Sequence, residues 1–412
     1  MTVDRPTSVP TAPVASQRDD APSRGPVIVI APDSFKGSLD AAGVARAIGA
    51  GIRQVVPTAL IRELPLADGG EGTLDALCSR GAQRLTREAR DAAGRPRATP
   101  LGRFDDGAWV LETASVVGLT DPASLAVPLE TRASWGLGDL LRAADAGGDA
   151  RDVYVALGGS ASNDGGAGLL TALGLRLFDE AGELLAPTPE GLSRLARVDA
   201  SQLWRPRSPH WRLIGLSDVD NPLLGERGAS AVFGPQKGAR DVDALDRTLA
   251  RFADCLEAAL DRQVRDVPGA GAAGGLGFAL LMLGGTLAPG AERLADRLGL
   301  EQALQGADWL ITGEGRSDRQ TLGGKAPLVV ARRARALGVP ASLLSGGIDP
   351  EALAALAPHF DGCFSPVPGP MTLSDAIGQA EGLLRGAAEQ MARLRWPQAA
   401  AQPGGQRPHS AP

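Results

Sequence analysis

Five consecutive apolar residues, Val27-Ile28-Val29-Ile30-Ala31, four of them β-branched, stop at Pro32 and run into Asp33-Ser34-Phe35-Lys36-Gly37-Ser38. A β-branched run without polar alternation needs a strand covered on both faces, the environment of a parallel sheet. Beyond it, Leu39, Ala42, Ala45, Ile48 and Ile52 recur at helical spacing, which predicts a helix to about Gln54 with Ser38 as its N-cap. Parallel neighbours need crossover connections, so a doubly covered strand feeding a helix restricts the chain to an α/β architecture. In such sheets ligands sit outside the carboxyl ends of the strands, and a helix N-terminus there favours anions. The stretch 33–38 therefore gathers a carboxylate, a hydroxyl, an ammonium and a helix dipole at one strand end. It predicts a site for a phosphorylated or acidic small molecule.

The same unit returns along the chain. Leu60–Leu64 reads as a strand ending in Asp68-Gly69-Gly70-Glu71-Gly72, followed by a helix from Thr73 to Arg80. Val153–Leu157 leads into the polar, glycine-rich loop 158–168, which carries Ser160, Asn163 and Asp164, and then a helix to about Leu173. Leu213–Leu216 leads into Ser217-Asp218-Val219-Asp220-Asn221-Pro222. Trp309–Thr312 leads into Gly313-Glu314-Gly315-Arg316-Ser317-Asp318 and a helix from about Lys325 to Leu337, and Ala341–Leu344 ends in Ser345-Gly346-Gly347. Residues 242–260 form an amphipathic helix and 276–283 a buried one, whereas 86–135 holds shorter, alternating segments. The likeness of the two ends predicts one parallel-sheet domain made of 26–85 and 285–396, interrupted by an inserted α/β domain at 86–284. Residues 1–25 and 397–412, rich in Pro, Ser and polar residues, are expected to be disordered.

Composition narrows the function classes. A net charge of -6 without a Lys/Arg block gives no footing for nucleic acid or an anionic membrane. The longest apolar run, Leu276–Ala288, holds three glycines and is too short to span a bilayer. Cys78, Cys255 and Cys363 are odd in number and far apart, so a disulfide framework or zinc site is not expected, and the cytoplasm is. The N-terminus has no apolar segment of a signal peptide. Three histidines, one of them His409 in the tail, disfavour histidine chemistry.

Gly269-Ala270-Gly271-Ala272-Ala273-Gly274 spells GxGxxG, but the polar residues before it and Pro268 are not the strand that a dinucleotide fingerprint requires. A Walker A loop is absent: Gly323-Gly324-Lys325-Ala326 lacks the upstream glycine and the Ser/Thr. Asp33, Asp68, Glu71, Asp164, Asp218, Asp220, Glu314 and Asp318 all follow strand candidates. Any one of them is ordinary turn chemistry; several at strand ends point to a shared site, whose oxygen ligands suit magnesium. Lys36, Lys237 and Lys325 are the only lysines, and each adjoins a glycine, the setting for a phosphate contact. Arg316, between Gly315 and Ser317, is placed to stabilise a transferring phosphoryl group.

Together, Ala31–Ser38, Ala67–Thr73, Gly158–Gly168, Asp218–Leu223, Gly228–Ala239, Gly269–Gly277 and Thr312–Asp318 resemble the motifs of the bacterial type-1 glycerate kinases, in order, from about residue 26 to 395. The resemblance implies ATP-dependent phosphorylation of D-glycerate to 2-phosphoglycerate, with magnesium accompanying the nucleotide. It implies two α/β domains, one with a Rossmann/flavodoxin-like parallel sheet, and an active site in the cleft between them. On that reading Asp33, Lys36, Asp164 and Arg316 are the catalytic candidates. Ser34, Gly37, Gly69, Gly70, Ser160, Asn163, Lys237, Gly313, Gly315 and Lys325 are expected to bind substrate or phosphate, and Asp68, Glu71, Asp218 and Glu314 are the metal candidates. The chain departs from the family pattern at Ala133-Ser134-Trp135-Gly136-Leu137-Gly138 and at Ser345-Gly346-Gly347, so neither segment contributes to these expectations. A kinase for a related hydroxy acid and a non-catalytic small-acid-binding relative are the alternatives.

Overall fold

The computed structural model describes residues 24–147 and 151–397. The segments expected to be disordered lie outside this range apart from residues 24–25 and 397. Two sheets organise the chain. The first is five-stranded and wholly parallel, in the order Gly362–Phe364, Ala341–Leu344, Trp309–Thr312, Val27–Ile30, Leu60–Glu63. The second is six-stranded, in the order Thr286–Ala288, Arg212–Leu216, Asp152–Ala156, Trp109–Glu112, Pro96–Arg103, Gln83–Arg90. It is parallel except at Pro96–Arg103, which pairs antiparallel with Trp109–Glu112 on one side and, in a long hairpin, with Gln83–Arg90 on the other, an element the sequence reading did not anticipate.

The β-branched run owes its unbroken apolarity to having two covered faces. Ile28 and Ile30 join one core with Val44, Ile48 and Ile52 of helix Ala41–Val55 and with Leu384 and Ala388 of helix Ala380–Arg395. Val29 and Ala31 join another, with Val329 and Val330 of helix Ala326–Ala336. That second core also takes in Val110, Ile214 and Leu216 from the six-stranded sheet and Leu74, Leu77, Leu294 and Leu298 from two helices, Thr73–Cys78 and Gly290–Leu298. One continuous apolar body thus lies under both sheets, and burying it fixes the position of one sheet against the other.

One expectation is corrected. Ser38 is not an N-cap: the helix begins at Ala41, and Asp40 caps it by accepting from the Gly43 amide at 2.6 Å. A carboxylate cap at that end repels an anion there. The buried helix expected at 276–283 is present, with Leu276–Met282 all buried, and a kink with positive φ at Ala273, Gly274 and Gly275 precedes it. Here the glycine loop locks against the 158–168 loop, and the Gly165 amide donates to the Gly274 carbonyl at 2.9 Å. A Cβ on Gly274 would stand 2.1 Å from the Ser162 carbonyl oxygen, so the GxGxxG glycines serve backbone packing.

Gly274→Ala is expected to lower stability by about 1–3 kcal/mol, the usual cost of overpacking. Urea denaturation followed by circular dichroism checks it; an unchanged midpoint would remove the packing role.

Candidate active site

Because the first sheet is wholly parallel, its strands deliver their following loops to one edge. Chain order reverses between Val27–Ile30 and its neighbour Trp309–Thr312, and the crevice of such a sheet opens at that point. A pocket of about 660 Å³ lies there, lined by Asp33, Ser34, Lys36, Asp68, Glu314, Gly315, Arg316 and Lys325 among others. Eight of the residues singled out from sequence therefore meet in one cavity.

Local bonding explains how each loop is held. The Asp33 amide donates to the Gly313 carbonyl at 2.8 Å, tying the two central loops together, and the Asp33 carboxylate accepts from the Ser34 amide at 2.6 Å. The Phe35 amide donates to the Leu39 carbonyl, which closes a turn through Gly37 at φ 76°. Glu314 is buried and accepts from Ser317 Oγ at 2.9 Å and Thr321 Oγ1 at 2.7 Å, with Lys325 Nζ 3.8 Å from its other oxygen. It thereby orders the loop that carries Arg316. Residues Arg316–Ser317 also pair in parallel with Gly347–Ile348, adding a two-stranded tier above the main sheet. The exposed Arg316 guanidinium lies 3.8 Å from Asp349.

The six-stranded sheet reaches the surroundings of Asp68 through Asp218, which follows strand Arg212–Leu216 and does not itself line the pocket. The Gly290 amide donates to Asp218 Oδ1 at 2.7 Å, while Oδ2 is buried without a partner. Asp68 accepts from the Gly70 amide at 3.1 Å and stands where its charge acts on both Asp33 and Asp218. Burial first, and then the Asp68 charge, push the Asp33 carboxyl up to about 8. The same two causes push Asp218 up to about 7. Burial also raises Glu314, against the hydrogen bonds from Thr321 and Ser317 and the nearby Lys325.

Other predicted residues lie elsewhere. Asp164 is fully buried; its Oδ2 accepts from the Ser134 amide and hydroxyl at 2.8 and 2.7 Å and from the Gly168 amide at 3.0 Å, and its Oδ1 from the Gly166 amide. Those bonds leave it outside the pocket. Lys237 is buried too, donating to the Ser162 carbonyl at 2.7 Å, and burial pushes its ammonium down to about 7. Ser160 bonds Ser162, and Asn163 donates to Ser230 Oγ at 3.0 Å. Glu71 is exposed and accepts from Thr120 Oγ1 at 3.2 Å. Gly69 and Gly70 flank Asp68 from outside the pocket, and the Gly69 carbonyl accepts from the Gly158 amide at 3.0 Å. Among the described residues, no group of three or more His, Cys, Asp or Glu side chains is set to hold a metal on its own. The segments that depart from the family pattern have structural duties. Ser134 anchors Asp164, the Arg90 guanidinium lies 4.5 Å from the centre of the Trp135 ring, and Ser345 Oγ bonds Ser317 Oγ at 2.8 Å.

Sequence reasoning missed the other half of the pocket, where Pro366, Val367, Leu373, Ile377, Leu383 and Leu384 form an apolar wall. Leu373, Ala376, Ile377, Ala380, Leu383 and Leu384 do recur at helical spacing, a signal for an apolar face though not for what it covers.

A family model described as the glycerate kinase family matches residues 28–395. The chain is 44% identical over 360 residues to a glycerate kinase of Bacillus subtilis (strain 168), covering 86% of this chain and 93% of that one. It is 39% identical over 364 residues to a glycerate 2-kinase of Escherichia coli (strain K12), covering 85% and 93%. A crystal structure of a glycerate kinase 2 candidate from Salmonella typhimurium LT2 superposes with a TM-score of 0.76 at 41% identity, covering 91% of this chain and 99% of that one.

A carboxyl whose pKa is raised by folding keeps its proton longer than in the unfolded chain. Its contribution to stability is complete below about pH 4 and is lost as pH rises, through about 7 for Asp218 and about 8 for Asp33. In EDTA without nucleotide, the Tm is expected to fall from about pH 5 to about pH 8. Asp33→Asn should flatten that fall in differential scanning fluorimetry; the same slope in wild type and variant would contradict the assignment. Asp164→Asn should instead lower the Tm at every pH, since it weakens buried bonds.

Proposed function

The chain belongs to the glycerate kinase family, and from that premise we propose that it transfers the γ-phosphoryl group of ATP to the 2-hydroxyl of D-glycerate in the pocket at the end of the parallel sheet. The observation that carries the reading is Asp33. It is a buried carboxyl that lines one pocket with Lys36, Arg316 and Lys325, and burial and the Asp68 charge push it up to about 8. A base whose pKa lies near neutrality accepts a hydroxyl proton without trapping it. Asp33 takes that proton as the glycerate oxygen bonds the γ-phosphorus, and the bond from that phosphorus to the bridging oxygen breaks, leaving its electron pair on ADP. Lys36, Arg316 and Lys325 supply positive charge around the phosphoryl oxygens. Ser34, Gly37, Gly313 and Gly315 shape the backbone on which the anionic groups lie.

Magnesium fits the donors present. Asp218 Oδ2 is a buried oxygen without a partner, and Asp68 lies beside it. Two carboxylates without a closed cage are what magnesium uses when phosphates and water complete its shell. Asp68 and Asp218 would hold the ion, which when bound draws charge from the phosphate oxygens. Glu314 is assigned to loop order, Glu71 to the surface, and Asp164, Ser160, Asn163 and Lys237 to the interior of the 86–284 unit. Closure of that unit over the crevice would exclude water, which otherwise competes for the phosphoryl group. We read the protein as cytoplasmic, consistent with the lack of any helix among the described residues that is long and apolar enough to cross a membrane.

With D-glycerate and Mg-ATP, product coupled through enolase is expected to give signal without added phosphoglycerate mutase. Signal only with mutase would place the phosphate on the 3-hydroxyl, and turnover confined to tartronate or lactate would move the enzyme to a related hydroxy acid. Asp33→Asn is expected to lower kcat by about 10²–10⁴-fold; a rate near wild type would remove Asp33 as the base.

A further inference from the structure

The mechanism above uses only the charged half of the pocket. In the other half, the residues contributed from 366 to 384 are all apolar, with Val367, Leu373, Ala376, Ile377, Leu383 and Leu384 prominent among them. Helix Leu373–Gly378 buries none of its residues: Leu373 is 77% exposed and Ile377 37%. Two large aliphatic side chains thus face the opening of a functional cavity instead of a core. Glycerate does not account for them, being a three-carbon acid with a polar group on every carbon and far smaller than about 660 Å³.

We propose that this wall is the nucleobase subsite, with the purine ring seated against Leu373, Ile377 and Val367 while the phosphates run towards Lys36, Arg316 and Lys325. The proposal rests on the kinase reading and extends it. A nucleoside triphosphate has a flat, largely apolar ring at one end and concentrated negative charge at the other. The cavity offers both kinds of surface: residues 366–384 bring no charged side chain to it, and Lys36, Arg316 and Lys325 line it beside Asp33, Asp68, Glu314, Asp318 and Asp349, whose repulsion of a triphosphate the three cations and a bound cation would offset. The halves are also joined mechanically, because Ser38 Oγ, at the end of the loop that carries Lys36, donates to the Ile377 carbonyl at 3.0 Å. Docking of the ring covers the exposed aliphatic surface and brings the apolar wall and the phosphate loop onto one ligand.

Binding measured by calorimetry tests this independently of turnover, using ADP and, as a probe without a base, inorganic tripolyphosphate. Wild type is expected to bind both. Ile377→Asp and Leu373→Asp should each weaken ADP by about tenfold or more, since they remove apolar contact and set a carboxylate against the ring, and leave tripolyphosphate within about twofold. Leu373 is too exposed to be needed for folding, so the second variant keeps the test open should the first misfold. Equal weakening of both probes, unchanged ADP affinity, or no ADP binding by wild type would overturn the proposal. So would a change in sedimentation coefficient with ADP affinity intact, which would make the helix a contact between copies. Binding of ADP as expected but no turnover of glycerate would leave the subsite standing and remove the substrate assignment instead.

Discussion

The site depends on a close crossing of backbones around Asp68. A Cβ on Gly290 would lie 2.1 Å from the Asp68 carbonyl oxygen, so only glycine lets the start of that helix reach the segment. From there its amide holds Asp218, while the Gly158 amide, at the end of another strand of the six-stranded sheet, bonds Gly69 next door. Segments from both sheets thus meet main chain to main chain, and the carboxylates they carry come together as a consequence. Any residue with a side chain at position 290 would push Asp218 away from Asp68 and separate the halves of the site.

Carboxylates crowded in this way oppose folding. Burial raises the pKa of both Asp33 and Asp218, and the Asp68 charge raises them further. The repulsion is tolerated because the apolar body beneath, shared by Val29, Leu64, Ile214, Leu216, Leu294 and Val330, is fixed by burial that no rearrangement of surface charge can match. Local electrostatic strain held by a larger apolar core is the usual arrangement at a functional site. The same crowding that costs stability gives Asp33 the proton affinity proposed for its role and leaves Asp218 with an oxygen to offer a cation.

The strands and the charged half of the pocket were legible in the sequence because both follow from local rules. Trp309–Thr312 and Ala341–Leu344 form as their apolar runs predict, and parallel strands must send Asp33, Asp68 and Glu314 to one edge. Whether a polar residue faces the crevice or the interior is not a local property. Asp164, Lys237 and Lys325 have similar neighbours in sequence, yet the first two are buried and consumed by Ser134 and the Ser162 carbonyl, and only Lys325 reaches the pocket. Ser38 misled for a related reason. Asp40, two residues on, competes for the same cap, and the hydroxyl is taken by a carbonyl 339 residues away. The long hairpin at 83–103 was hidden because Gln83–Arg90 is largely exposed and both strands are interrupted by arginines, so no clear apolar periodicity marks them.

The small parallel pairing of Arg316–Ser317 with Gly347–Ile348 has a further consequence. It stitches the loops after two adjacent strands residue by residue, so that one cannot gain or lose a residue without breaking register with the other. The two loops therefore form a single unit of length, and any redesign of the mouth of this cavity must treat them as one insertion site rather than two.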